Sequence, residues 1–226
     1  MRSNLKIAID GPAGAGKTTT AKLVAKALGL VPVDTGAMYR AVALKVLREG
    51  KDPNNPEDVK SVLSGIEIKQ EFKDDEVLTF LNGEDVSKQI RTPEVDRIVS
   101  TISSYSFVRE KLVEIQREMA KRGGVVIEGR DIGTVVLPDA DLKVFMLASA
   151  EERAKRRLAE LESRGIKADF YEILEEIRKR DEMDSRRSHS PLKIPEGAFI
   201  LDTTNLSLEE QVDLILREVR RRFACG

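Results

Sequence analysis

One stretch limits what this chain can fold into more than any other. Lys6-Ile7-Ala8-Ile9-Asp10 is an apolar strand pattern, and it runs directly into Gly11-Pro12-Ala13-Gly14-Ala15-Gly16-Lys17-Thr18-Thr19, a G-x-x-x-x-G-K-T phosphate-binding loop. Glycine allows a turn tight enough for successive backbone N–H groups to face an anion, and a helix beginning near Gly16 adds the positive end of its dipole. Gly11 through Thr19 are therefore the expected ATP-binding set, with Lys17 reaching the β and γ phosphates and the Thr18 hydroxyl serving as the Mg2+ ligand. A chance glycine-rich turn is the alternative. The amphipathic run Ala21, Leu23, Val24, Ala27 and Leu28 argues against it, because the loop then sits between a strand and a helix, as its mechanism requires.

Downstream, strand and helix patterns alternate. Leu30 to Asp34 predicts a short buried strand, Gly36 to Glu49 a helix, and Asn55-Pro56 a capped helix start whose helix stops at Gly65. From Ile66 to about Ile90 the apolar period drops to two, with turn signals at Lys73-Asp74-Asp75 and Asn82-Gly83, which predicts a small antiparallel insert. Helices follow from Thr92-Pro93 and over Phe107 to Arg122, the latter ended by Gly123-Gly124. Val125-Val126-Ile127 and Leu142 to Leu147 read as buried parallel strands, and Ala198 to Leu201 as the last strand. Ser149-Ala150-Glu151-Glu152 and Ser207-Leu208-Glu209-Glu210 fit the capping box and place helix starts at 150 and 208. Five β segments interleaved with helices predict an α/β fold, a doubly wound parallel sheet with ligands at the carboxyl ends of its strands.

Composition narrows the partners. The 226 residues carry 38 basic and 39 acidic side chains, a net charge of -1, so no global field draws the chain to nucleic acid or an anionic membrane, and any phosphate binding is local. No apolar run approaches the roughly 20 residues of a membrane span, and Met1-Arg2-Ser3-Asn4 leads into the first strand without a signal-peptide core. A cytoplasmic protein is expected, and a monomer, since no heptad seam is visible. The single Cys225 excludes an internal disulfide framework and reads as an incidental thiol, and the lone His189 has no metal-ligand spacing.

Polar residues gather at three predicted strand ends: Gly11 to Thr19, Asp34-Thr35-Gly36-Ala37-Met38-Tyr39-Arg40, and Glu128-Gly129-Arg130-Asp131-Ile132-Gly133. Arg40 and Arg130 would offer two guanidinium forks to one crevice, a geometry suited to phosphate. The run Arg178 to Arg187 is either a solvated helix face or a set of spaced arginines, with Asp184 between them, that meets a second substrate. Arg153, Arg156, Arg157 and Arg164 lie at helical spacings. They either pair with Glu151, Glu152 and Glu160 or close over a triphosphate as a mobile lid.

Taken in order, these residues resemble the bacterial cytidylate kinases from Ile7 to about Phe223. The resemblance is carried by Asp10 to Lys17, Asp34 to Arg40, Gly83-Glu84-Asp85-Val86-Ser87, Ile90-Arg91-Thr92-Pro93-Glu94-Val95, Val108-Arg109-Glu110, Gly129 to Val136 and Arg180 to Arg187. It implies a single P-loop kinase domain over 1–226. The core would be 1–35, 106–150 and 195–226, with a monophosphate-binding region containing the β insert at 36–105 and a helical lid at 151–194. It also implies transfer of the γ-phosphoryl group of ATP to CMP or dCMP, a step of pyrimidine nucleotide metabolism, with Mg2+. By the same resemblance Arg40, Arg130 and Arg187 would hold the acceptor phosphate, and Arg180 and Asp184 would meet the ribose. Ser100, Arg109 and Asp131 would read the cytosine, and Thr35 and Tyr39 would line that pocket. Lys17, Arg130, Arg187, Arg153 and Arg157 are the candidates for catalysis. Beyond Thr18, the acid that assists the metal is not assigned, Asp34 being one possibility. A P-loop kinase for another small acceptor and a nucleotide-dependent switch are the competing readings.

Overall fold

The computed structural model describes residues 4–163, 165–187 and 189–223; Arg164 and Cys225 lie outside them. The chain runs β1 (Lys6–Asp10), α1 (Lys17–Leu28), β2 (Val31–Asp34), α2 (Thr35–Arg48) and α3 (Pro56–Leu63). Three short strands follow, β3 (Ile68–Lys73), β4 (Glu76–Leu81) and β5 (Glu84–Asp85), then α4 (Pro93–Ser104) and α5 (Ser106–Ala120). After β6 (Val125–Gly129) and a π-helical turn at Ile132–Val136 come β7 (Leu142–Leu147), α6 (Ala150–Ser163), α7 (Phe170–Arg186), β8 (Phe199–Asp202) and α8 (Leu208–Phe223).

The near-continuous apolar strands pair as the predicted five-stranded parallel sheet, in the order β2-β6-β1-β7-β8. Strand side chains alternate between faces, so Ile7 and Ile9 pack with Val24 and Ala25 of α1 and Ile215 and Val219 of α8. Ala8 points the other way, to Val33, Ile127 and the α5 residues Val113 and Ala120. This double covering places the loop after β1 at the centre of the sheet's carboxyl edge.

The period-two segment is the predicted antiparallel insert, β3-β4-β5, turning through Asp74 and Asp75 (φ 52° and 64°) and through Asn82 and Gly83 (φ 50° and 85°). Its inward side chains Ile68 and Leu81 share a core with Val42 and Val46 of α2, Val59 and Val62 of α3 and Val99 and Ile102 of α4. A further, small core joins Ala154 of α6 to Ile173, Leu174 and Ile177 of α7.

Helix α2 starts one residue before the predicted Gly36. The Asp34 carboxylate caps it, accepting from Ala37 N–H at 2.9 Å. The π-helical turn had no sequence signal. It is held from outside by the buried Asp10 carboxylate, which accepts from Ile132 N–H and Gly133 N–H at 2.7 Å each. Ser207 and Glu210 form the full capping box, whereas Ser149 caps Glu152 N–H alone because its own N–H goes to Thr204 Oγ1.

Candidate active site

Gly11 lets the loop after β1 slip past the end of β7: a Cβ there would stand 2.2 Å from Met146 O, a distance no other residue tolerates. The loop then closes through Gly16, in left-handed backbone at the start of α1. Buried Lys17 folds back so that Nζ donates to Pro12 O at 2.7 Å. Burial, reinforced by the nearby charge of Arg130, pushes its ammonium down to about 7.

Thr18 Oγ1 donates to Glu128 Oε1 at 2.7 Å, across the junction of α1 with β6. Parallel register sets Asp34 of β2 beside Glu128. Burial, with the charge of Asp34 added, raises the Glu128 carboxyl to about 7. Asp34 goes the opposite way. Burial pushes it up, but Arg91 (2.5 Å) and the Ala37 N–H outweigh this and hold it below the ordinary carboxylate range. Asp34 is thus occupied as a cap and an ion-pair partner, and the acid that touches Thr18 is Glu128. Sequence reasoning left that role open because the β2–β6 register, which puts the two carboxylates together, is invisible locally. Thr35 donates its hydroxyl to Glu128 O at 2.7 Å. Thr19 is exposed at the rim.

The guanidinium groups converge beside this loop. Arg130 Nε donates to Asp184 Oδ2 at 2.9 Å, and Arg187 approaches the other oxygen at 3.6 Å. Burial pushes Asp184 up, but these arginines more than offset it and hold it low. Arg180 shares the face of α7 that carries Asp184. Burial, and after it the charge of Arg130, brings its guanidinium down to about 10. Buried Nε of Arg180, and Nε and Nη2 of Arg187, have no hydrogen-bond partner among the described residues. Donors so placed, with Lys17 and the Thr18 hydroxyl beside a carboxylate, fit a phosphate chain and a divalent cation.

Next to them lies a second polar cluster. Arg109 is buried, donates to Asp131 Oδ2 at 2.6 Å and to Ser103 O at 3.2 Å, and lies over the Tyr39 ring with its carbon centre 5.3 Å from the centroid. The Tyr39 hydroxyl is buried without a partner among the described residues. Ser100 faces Asp184 and Arg187 across a cavity of about 240 Å³.

The arginines of α6 take separate paths. Arg153 is buried against the phosphate-binding loop, with Nη1 on Ala13 O at 3.2 Å and a bidentate grip on Asp181 at 2.9 and 2.6 Å. Arg156 holds Thr203 O at 2.7 Å and Glu152, next to Gly16. Arg157 turns away from the loop to Glu160 and Asp96, each at 2.7 Å. The intrahelical alternative holds for Arg156 and Arg157, which pair with Glu152 and Glu160, while Arg153 and Arg156 lie against the phosphate-binding loop at Ala13 and Gly16. Arg40 reaches Asp96 and Ile90 O. Asp96 carried no sequence signal as a member of the site.

A profile of the family described as cytidylate kinase matches residues 7–221. The chain is 52% identical over 217 residues to a cytidylate kinase of Caldanaerobacter subterraneus, covering 96% of this chain and 95% of that protein. It is 50% identical over 212 residues to one of Caldicellulosiruptor bescii, covering 94% of each. A solved gluconokinase from Sinorhizobium meliloti shares the fold alone, with TM-score 0.51 and 16% identity over 98% of this chain and 94% of that one. With the profile spanning nearly the whole chain and half of its residues identical to these relatives, the chain belongs to the cytidylate kinase family.

Proposed function

We propose that this protein transfers the γ-phosphoryl group of ATP to the phosphate of CMP or dCMP. The observation that carries the reading is the convergence of Arg130, Arg180 and Arg187 around Asp184, beside Lys17, with sealed guanidinium nitrogens of Arg180 and Arg187 that have no acceptor among the described residues. Such cations serve a second phosphate group rather than a packing role.

In this reading residues 36–105 hold the acceptor and 151–194 form a lid over a core of 1–35, 106–150 and 195–226. The loop Gly11–Thr19 cradles the donor phosphates, and Lys17 swings from Pro12 O to the β and γ oxygens. Arg40, Arg130 and Arg187 grip the acceptor phosphate and bring its oxygen in line. Arg180 and Asp184 orient the ribose, while Ser100 and the Arg109–Asp131 pair offer donors and a carboxylate to a base with both kinds of edge. Thr18 and Glu128 would hold Mg2+, which when bound neutralises charge on the transferring group. Positioning and fixed positive charge then supply most of the catalysis, since the transition state is loose and spreads charge over oxygens.

ADP formation from Mg-ATP is measured with CMP, dCMP, UMP, AMP, GMP and dTMP in parallel, beside a Lys17→Ala control. Turnover confined to CMP and dCMP is expected, with Lys17→Ala slower by at least about 100-fold. Turnover with another acceptor alone would discard the cytosine assignment, and none with any would favour a switch.

A further inference from the structure

Asp96 lies in the first turn of α4, and its two carboxylate oxygens serve two different helices. Oδ1 accepts from Arg40 Nη1 of α2, and Oδ2 accepts from Arg157 Nη2 of α6 at 2.7 Å. An acid in a first turn is commonplace, because it complements the helix dipole. Glu94 in the same turn bonds only locally: its side chain is 59% exposed, bonds Thr92 and stands 3.8 Å from Arg97 of its own helix. The dipole does not account for two arginines brought from elsewhere onto Asp96, whose side chain is 23% exposed.

The two arginines are also held differently. Arg40 makes its hydrogen bonds to Asp96 and to Ile90 O, the latter at 3.3 Å, from Nη1, so Nε and Nη2 take no part in them. Arg157 uses both terminal nitrogens, Nη1 on Glu160 and Nη2 on Asp96. One carboxylate therefore joins a guanidinium of the acceptor region to one of the helical arm.

We propose that Asp96 is a positioning residue for phosphoryl transfer: it presets Arg40 for the acceptor phosphate and, through Arg157, ties the position of α6 to that of Arg40. This rests on the reading of Arg40 as an acceptor-phosphate ligand. A guanidinium fixed before binding loses less rotamer freedom when the phosphate arrives, and it meets the phosphate in one geometry. The link is confined to the acceptor side, since among the described residues the hydrogen bonds of Asp96 and Arg157 go to Arg40, to each other and to Glu160, not to the Gly11–Thr19 loop.

The test compares Asp96→Asn, which keeps the shape and removes the charge, with Asp96→Glu, which keeps the charge. Asp96→Asn is expected to raise the KM for CMP about tenfold, the worth of a charge-assisted hydrogen bond, with the KM for ATP within about twofold. Asp96→Glu is expected to recover most of that loss, and combining Asp96→Asn with Arg157→Gln to give a non-additive effect on kcat. Thermal midpoints of all variants separate these effects from misfolding. Equal changes in both KM values, or a lowered midpoint with neither KM moved, would overturn the proposal. The unaltered chain is assayed alongside with every monophosphate. If only an acceptor other than CMP is used, the function reading fails and the Asp96 comparison is read on that acceptor instead.

Discussion

At the level of single residues, the site is built from groups whose charges are held in place by one another. Arg109 and Asp131 are both buried, at 3% and 4% exposure, and pair at 2.6 Å. Removing one member of a buried pair leaves the other uncompensated, which typically costs about 3–5 kcal/mol. Asp131→Ala is therefore expected to lower the unfolding free energy by about 3 kcal/mol in urea titration, and to depress kcat/KM for CMP far more than for AMP. An undiminished stability would show that water or a neighbour compensates Arg109, and an equal loss for both acceptors would remove the pair from base recognition. The phosphate-binding loop was fully legible in the sequence, because its mechanism demands contiguous residues. Glu128 was legible only as a polar residue at a strand end. Its contact with Thr18 spans 110 positions, and nothing local encodes it.

Among the elements, helix α7 shows why its charge run was ambiguous. Ile173, Ile177, Arg180 and Asp184 recur at spacings of three and four, so one stripe begins apolar against α6 and ends polar in the site. Arg178 and Arg186, off that stripe, are 57% and 80% exposed in ion pairs with Glu151 and Glu182. The helical period thus divides the run into a solvated face and a face turned to Arg130 in the candidate site. The insert was legible from its alternation and its turns, but its docking was not. Gln70 of β3 closes on the backbone of Asp34, accepting from its N–H at 3.0 Å and donating to its carbonyl at 2.8 Å. Lys22 and Lys26 of α1 add pairs to Glu76 and Asp75 at the hairpin tip. These last are exposed and worth little. Gln70 is half-buried and satisfies both backbone groups at the end of β2, so Gln70→Ala is expected to cost about 2 kcal/mol by chemical denaturation. A change below about 0.5 kcal/mol, the scatter of ordinary surface substitutions, would mean that the lysine pairs or the shared apolar core alone seat the insert.

Across the whole molecule, a net charge of -1 conceals a crevice where burial opposes charge on several groups, Asp10, Lys17, Glu128 and Arg180 among them. Asp10 is raised from 3.8 to about 6 by burial, which outweighs the two N–H groups it accepts from, and Glu128 is raised from 4.5 to about 7. An acid with a raised folded-state value destabilises the fold above that value, and the cost disappears as pH falls toward its unfolded value. For Asp10 that window is 6 down to 3.8, and for Glu128 7 down to 4.5. Lys17, lowered from 10.5 to about 7, exerts its full cost below about 7 and is relieved only as pH rises toward 10.5, so it leaves the slope between these acid windows unchanged. Asp34, Asp96 and Asp184 are held below 3.8 by their arginines; their stabilisation is complete above that value and is lost only in stronger acid. The nucleotide-free protein is therefore expected to gain stability from pH 7.5 to pH 5, by an amount of order 2 kcal/mol, before acid unfolding sets in. Urea titrations at the two pH values measure this. Glu128→Gln keeps an acceptor for the Thr18 hydroxyl while removing the proton, so it is expected to shrink the difference by about half. A wild-type protein equally stable at both values, or a Glu128→Gln protein with an unchanged difference, would show that Glu128 is already well solvated. Magnesium and nucleotide phosphates would neutralise Glu128 and Lys17 together, so the same titrations with Mg-ATP should flatten the slope by stabilising the protein most at pH 7.5.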